Sequence, residues 1–271
     1  MNIQITQPDT RVVSIKVNHM KIHDNSDIKV VKIDGTMMVF LTQNFGSFFP
    51  NITEYYIMSV KLQFIRRNDF RGIENLESIS FFDNRIEEIP EDVFFDLKKL
   101  KFLSLADNKI ANIPLLLLYN LYDLEAISLK GNFIENFPSF VFANNKKLNS
   151  ISLRNNRLAT FSSDLVLMIP KLKEFFLAYN TCINNDFEFD ANDDQVKREI
   201  SSHILSQCYL NNNFNYVMIN QCKIDVESCK KRVNNLFKEN RALEKKQLVG
   251  TIELISLTSI CLFSCVAQSS K

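Results

Sequence analysis

The sequence predicts an α/β solenoid whose concave face is a parallel sheet. The first observation is self-similarity, because residues recur every 24 positions between Leu76 and Leu172. The second is a short segment in each repeat, such as 79–81, that alternates inward and outward as a strand does. The third is that the pattern weakens towards the amino terminus, as is expected of the terminal repeats of a stacked array.

Five columns of residues keep the same spacing. They are Leu76, Leu100, Leu124, Leu148 and Leu172; Phe81, Leu105, Leu129, Leu153 and Leu177; Asn84, Asn108, Asn132, Asn156 and Asn180; Ile86, Ile110, Ile134 and Leu158; and Pro90, Pro114 and Pro138. We expect the apolar columns to form the core and each asparagine amide to pair with backbone groups that the turn leaves free. Asn120 lies outside these columns and is expected to contribute little.

A weaker register continues backwards to Ile28, where Thr36 and Val60 replace the asparagine. The spacing therefore predicts about seven repeats over residues 28–182, after an N-terminal capping segment at 1–27. A convex column of large side chains is expected at Phe70, Phe94, Leu118 and Phe142. Seven strands about 4.8 Å apart would form a ladder roughly 30 Å long.

The pattern L-x-x-L-x-L-x-x-N-x-L resembles that of leucine-rich-repeat proteins, which implies a right-handed horseshoe. The segments NFGSFFPNI and YNTCINN, with a predicted helix at 193–207, resemble secreted insect members that end in a cysteine-bearing C-terminal cap. We place this cap at 183–221, with Val196, Ile200, Ile204 and Leu205 on one face of its helix. The resemblance implies that Cys182 and Cys208 are joined. For function it implies extracellular protein recognition, including innate immunity.

Residues 222–247 carry an apolar stripe spaced by three and four, with Asn240 inside it. This stripe predicts either a short coiled coil that forms a homo- or heterodimer or an amphipathic helix folded back on the cap. Some insect leucine-rich immune proteins carry a coiled coil with interchain disulfides, and Cys222 and Cys229 would suit that arrangement.

Residues 248–267 form an apolar stretch of twenty, interrupted by Glu253. The stretch predicts a helical tail that spans a membrane. Lys245 and Lys246 precede it, which would place the repeats in the cytoplasm as in a tail-anchored protein. Two other interpretations remain: a buried terminal helix, or a signal-like segment that a misjoined gene has added.

The composition favours binding over catalysis. The net charge is +1, so no basic surface for nucleic acid is expected. The sequence lacks the phosphate-binding, nucleophile-elbow and dinucleotide motifs, and its three histidines are dispersed. We therefore expect no enzyme activity, no cofactor and no metal.

The outward positions of the predicted strands form the candidate protein-binding surface. Its residues are Tyr56, Met58, Phe82, Phe102, Lys130, Arg154 and Phe176. Aromatic residues and arginine dominate binding hot spots, so this concave face is expected to bind a protein.

Two compartments remain open. Cysteines absent from the repeats and gathered after residue 181 favour an extracellular or cell-surface protein, in which the sequon at Asn51 would be glycosylated. The amino terminus lacks the basic start and apolar run of a signal peptide, which favours a cytoplasmic or tail-anchored scaffold or regulatory subunit; the alternative is that the sequence is a mature or incomplete chain.

Overall fold

The computed structural model describes residues 3–4, 16–17, 28–35, 37–41, 45–159 and 161–208. The strands are Ile3–Gln4 (β1), Lys16–Val17 (β2), Val30–Asp34 (β3), Glu54–Met58 (β4), Ser78–Ser80 (β5), Phe102–Ser104 (β6), Ala126–Ser128 (β7), Ser150–Ser152 (β8), Glu174–Phe176 (β9) and Asp186–Glu188 (β10). The α-helices are Phe45–Phe48 (α1), Leu165–Met168 (α2) and Asp194–Cys208 (α3), and 3-10 turns cover Arg67–Phe70 and Ser139–Phe142.

One sheet runs through the repeats in the order β3 to β10. The seven strands β3 to β9 are parallel, and each residue pairs with the residue 24 positions later, as Ile79 does with Leu103. The predicted solenoid with a parallel concave sheet is therefore confirmed. At its amino-terminal side, β1 and β2 form a separate antiparallel pair.

The core lies between this sheet and the convex turns. The leucine, phenylalanine and isoleucine columns are buried throughout, and so are Phe70, Phe94, Leu118 and Phe142 on the convex side. The rings of Phe70 and Phe94 pack 5.7 Å apart. The predicted core columns are thus confirmed.

Each strand is followed by a residue in the left-handed backbone conformation. The column is Gly35, Ser59, Asp83, Asp107, Gly131, Asn155 and Tyr179. Glycine, asparagine and aspartate reach this conformation more readily than other residues, which explains five of the seven. Ser59 and Tyr179 are the exceptions.

The asparagine ladder is present as predicted. In each of the five repeats, Nδ2 donates to a carbonyl of the preceding repeat, while Oδ1 accepts a backbone N–H from that repeat. Asn108, for example, donates to the carbonyl of Phe81 at 2.8 Å and accepts from the N–H of Ile86 at 3.0 Å. Burial removes these backbone groups from water, and each amide supplies the hydrogen bonds that they would otherwise lack.

The expectation for Asn120 was wrong. Its side chain is buried and donates to the carbonyl of Phe95 at 3.1 Å. Asn144, 24 residues later, donates in the same way to Tyr119 at 2.9 Å. These two residues form a second, shorter row of amides on the convex side. Because the row has only two members, it is not recognisable as a repeat in the sequence.

The carboxyl end of the solenoid is closed by β10 and α3. β10 pairs antiparallel with β9, and Cys208 at the end of α3 is joined to Cys182, as the resemblance implied. Ile200 and Ile204 are buried as predicted, but Leu205 is exposed. Leu205 lies about 100° around the helix from Ile204, because a helix has about 3.6 residues per turn.

Polar residues complete the buried face of α3. Lys197 donates from Nζ to the carbonyl of Pro170 at 2.9 Å, and Ser201 donates to that of Ser163 at 3.1 Å. Both residues are buried, so these bonds offset the cost of removing their polar atoms from water.

The two predicted C-terminal segments, 222–247 and 248–267, lie outside the described residues. So does Thr36 in the first repeat. Within the described ranges, the helices are too short or too polar to cross a membrane.

Candidate protein-binding surface

Three outward columns form the concave face of the sheet. The first contains Glu54, Ser78, Phe102, Ala126, Ser150 and Glu174; the second contains Lys32, Tyr56, Ser80, Ser104, Ser128, Ser152 and Phe176; the third contains Asp34, Met58, Phe82, Ala106, Lys130, Arg154 and Ala178. All seven predicted binding residues therefore lie on this face. Most of its remaining members are serine or alanine, so the larger side chains stand above a low floor.

The amino-terminal half of this surface is the aromatic half. Phe82 and Phe102 remain 41% and 38% exposed. Ser80 and Ser104, at outward positions of the neighbouring column, are buried. More than a third of each phenylalanine is therefore open to solvent beside a buried floor.

Tyr56 is held in place at the edge of this half. Its hydroxyl donates to Glu54 at 2.8 Å and lies 3.1 Å from the hydroxyl of Ser78. The ammonium of Lys32 stands 5.1 Å from the ring centroid. Burial, with the neighbouring Glu54 carboxylate, raises the pKa of Tyr56, so the phenol stays protonated and can donate a hydrogen bond.

The carboxyl-terminal half carries Arg154, which the structure ties to the cap. Its Nε donates to Asp186 of β10 at 2.8 Å, and its guanidinium stacks 4.8 Å from the ring centroid of Phe176. The Asp186 carboxylate, and then the more distant Tyr179 and Glu188, raise the pKa of Arg154. Its charge is therefore already compensated within the chain, and Arg154 and Phe176 are better explained as links between sheet and cap.

Lys130 differs from Arg154 although the two are adjacent in one column. Lys130 is exposed, and no ion-pair partner for it lies within the described ranges. Its ammonium is therefore the cation of the carboxyl-terminal half that remains available to a partner.

The edge of the solenoid that precedes the strands is polar and charged. Lysines 24 residues after their partners bond across repeats, as Lys101 does to Glu77 at 2.7 Å and Lys147 to Asp123 at 2.6 Å. Asn51 is exposed in the turn before β4, on this edge. The paired side chains are exposed, so this edge is a solvated side of the molecule and the pairs contribute little stability.

The opposite edge holds exposed apolar residues that sequence reasoning missed. Met37, Phe40 and Phe64 are exposed, and the rings of Phe40 and Phe64 stack at 5.2 Å. The guanidinium of Arg66 stands 5.4 Å from the ring centroid of Phe40. The 24-residue spacing of Phe40 and Phe64 could have indicated that they stack. Their exposure could not be predicted, because they lie beyond the strands, where side chains do not alternate between inward and outward positions.

Of the four cysteines expected to form disulfides, two lie in the part of the chain that the structure describes. Cys182 is paired with Cys208, whereas Cys222 and Cys229 fall outside the part of the chain that the structure describes. No group of three or more metal-binding side chains occurs in that described part.

Comparisons with known proteins agree with this architecture. The family model for "Leucine rich repeat" matches residues 50–110. No curated protein sequence matches the chain.

Three solved structures are similar in fold. The LRIM1/APL1C complex aligns with a TM-score of 0.54 at 20% identity, over 66% of this chain and 32% of that one. The leucine-rich-repeat domain of APL1 gives 0.53 at 21%, over 63% and 45%. The TLR13–ssRNA13 complex gives 0.51 at 22%, over 56% and 21%. The chain thus spans less than half of each.

Proposed function

We propose that this chain, a repeat solenoid whose residues 50–110 match the leucine-rich-repeat family model, recognises a protein partner outside the cell through its concave sheet. The observation that carries this proposal is the exposure of Phe82 and Phe102 on the aromatic half. A solvated sheet face has no need of such rings, whereas binding hot spots are rich in aromatic residues. Two of the similar structures are complexes, LRIM1 with APL1C and TLR13 with ssRNA13, which supports a partner-binding role for this chain.

The cap supports the extracellular part of the proposal. The bond between Cys182 and Cys208 is of a kind that persists in oxidising compartments and is rare in the cytosol. The sequon Asn51-Ile52-Thr53 has an exposed asparagine on the charged edge, so a glycan there would leave the concave sheet uncovered.

A protein fits the concave surface better than a nucleic acid does. One similar structure is a complex with ssRNA, yet here Arg154 is paired with Asp186, and the concave face also carries the carboxylates of Glu54 and Glu174. Nucleic-acid binding relies on several unpaired cations along one face. The mixed charges and exposed rings favour a folded protein as the ligand.

The test is affinity capture with the full chain from the extracellular fluid of the source tissue. Wild type is compared with Phe82→Ala/Phe102→Ala and with Tyr122→Ala, which removes an exposed ring outside the concave face. We expect wild type and Tyr122→Ala to recover the same protein and the double variant to lose it. Equal recovery by the double variant would show that the concave assignment is wrong.

A second measurement tests the compartment. Protein isolated from its native source is mapped by peptide analysis without reduction. We expect Cys182 and Cys208 to appear in one linked peptide and Asn51 to carry a glycan. Free thiols and an unmodified Asn51 would contradict the extracellular proposal and favour an intracellular scaffold.

A further inference from the structure

Tyr179 occupies a position where the backbone is unfavourable for its side chain. Its φ is +63°, in the column otherwise filled by glycine, serine, aspartate and asparagine. A bulky side chain in the left-handed region is a genuine outlier, because its Cβ approaches neighbouring backbone atoms.

The surrounding hydrogen bonds impose this conformation. The N–H of Tyr179 donates to Asn184 at 2.7 Å, and Asn180 donates from Nδ2 to the carbonyls of Leu153 and Leu177. Asn155, one repeat earlier, donates its N–H to the carbonyl of Ala178 at 3.0 Å. With residues 178 and 180 fixed by the ladder, residue 179 has no freedom to relax, which is how strained positions persist.

The Tyr179 ring is largely exposed to solvent, so it buries little apolar area in the fold. The residue is 70% exposed, more than any other large apolar residue in the described ranges. Selection for stability alone would favour Asn or Gly here, as at Asn155 and Gly131. Tyrosine suits a binding contact because it offers an apolar ring and a hydrogen-bonding hydroxyl with little side-chain entropy to lose.

We propose that Tyr179 is a specificity-determining contact for the protein partner, at the rim of the carboxyl-terminal half of the concave sheet. It directly follows Ala178, the last member of the column that contains Lys130 and Arg154. The N–H of Ala178 donates to Asp186 at 3.0 Å, and Asp186 also binds Arg154, so Tyr179 directly follows a residue that is bonded to the link between sheet and cap. This inference rests on the proposed function. The partner would then contact the aromatic half at one end of the concave sheet and Tyr179 at the end beside the cap.

The first experiment measures stability without any partner. Tyr179→Asn should melt higher than wild type by about 2 °C or more, because the strain is relieved and little buried area is lost. The reciprocal Asn155→Tyr places the same strain one repeat earlier and should melt lower. If Tyr179→Asn melts lower than wild type, the ring stabilises the fold and the inference is overturned.

The second experiment measures affinity for the protein that wild type captures from extracellular fluid, purified and immobilised. Tyr179→Asn should bind at least about 30-fold more weakly, as expected for a hot-spot residue. Tyr179→Phe should keep most of the affinity, and Tyr122→Ala all of it. Unchanged affinity in Tyr179→Asn overturns the inference while leaving the proposed function intact, whereas failure of wild type to bind any protein removes both.

Discussion

The side-chain oxygen of Asn132 accepts a hydrogen bond from the backbone N–H of Ile110 at 2.9 Å, which joins two consecutive repeats. The amide nitrogen of Asn132 completes the link by donating to the carbonyl of Leu105 at 3.0 Å. Both bonds lie in the buried interior. One side chain therefore satisfies a donor and an acceptor that the turn leaves without a strand partner.

Replacing Asn132 with Ala should destabilise the protein by about 1–3 kcal/mol, because the buried N–H of Ile110 would be left unpaired, whereas the carbonyl of Leu105 still accepts from Asn108. The matched control is Asn112→Ala, since Asn112 is exposed. This control should lie within about 0.5 kcal/mol of wild type. Urea denaturation of the three proteins measures the difference, and coincident curves would show that the ladder does not contribute to stability.

Asn145 presents the opposite situation, a buried amide that is only half satisfied. Its Nδ2 donates to the carbonyls of Leu118 and Leu121, but its buried Oδ1 has no partner. The equivalent residues one and two repeats earlier are Leu121 and Leu97, both buried. The carbonyls that Asn145 contacts also accept backbone N–H groups, so they do not depend on it.

Asn145→Leu should therefore stabilise the protein by about 1 kcal/mol, since it removes an unsatisfied acceptor from the core. Leu121→Asn, the reciprocal change in the same column, should destabilise it by at least about 2 kcal/mol. Thermal and urea unfolding test both. A less stable Asn145→Leu would mean that the two amide bonds outweigh the orphaned oxygen.

The structural features that recur at a constant interval could be predicted from the sequence. The strands, the core columns and the ladder from Asn84 to Asn180 recur every 24 residues, so one repeat predicts the next. The role of Asn120 could not be read in this way because its row has two members. Asn145 also escaped notice, because it replaces a leucine in an apolar column.

The sequence predicted which positions lie on the candidate surface, but not which of their side chains are already paired within the chain. The alternation within strands correctly placed Phe82 and Phe102 on the concave face. The pairing of Arg154 with Asp186 could not be anticipated, because β10 turns antiparallel to the repeats and departs from the 24-residue register. Tyr179 does lie in the 24-residue register, but the spacing alone does not reveal that its column requires a left-handed backbone.

The disulfide gives a third prediction. Cys182 and Cys208 are 26 residues apart, and both lie in the core at the end of the solenoid. Replacing both with Ser should lower the free energy of unfolding by roughly 3 kcal/mol, mainly because the unfolded chain is no longer closed into a loop. The measurement is urea unfolding of the oxidised wild type and the double variant. Wild type under a reducing agent is the control, and it should approach the variant if the bond itself is responsible.

The pairing of Asp186 with Arg154 should make stability depend on pH in a defined direction. Burial alone would raise the pKa of Asp186, but the hydrogen bonds and charge of Arg154, with the N–H of Ala178, lower it below the usual value. The charged carboxylate therefore stabilises the fold fully above the pKa of an unfolded aspartate, about 4. This contribution is lost as the pH falls through the lower pKa that Asp186 has in the folded protein.

Asp186→Asn should melt below wild type near pH 7, and this difference in melting temperature should close towards about pH 2. Glu188→Gln, at an exposed carboxylate two residues along β10, controls for the loss of a negative charge and should give a smaller gap. A gap for Asp186→Asn that widens with acid would contradict the assignment.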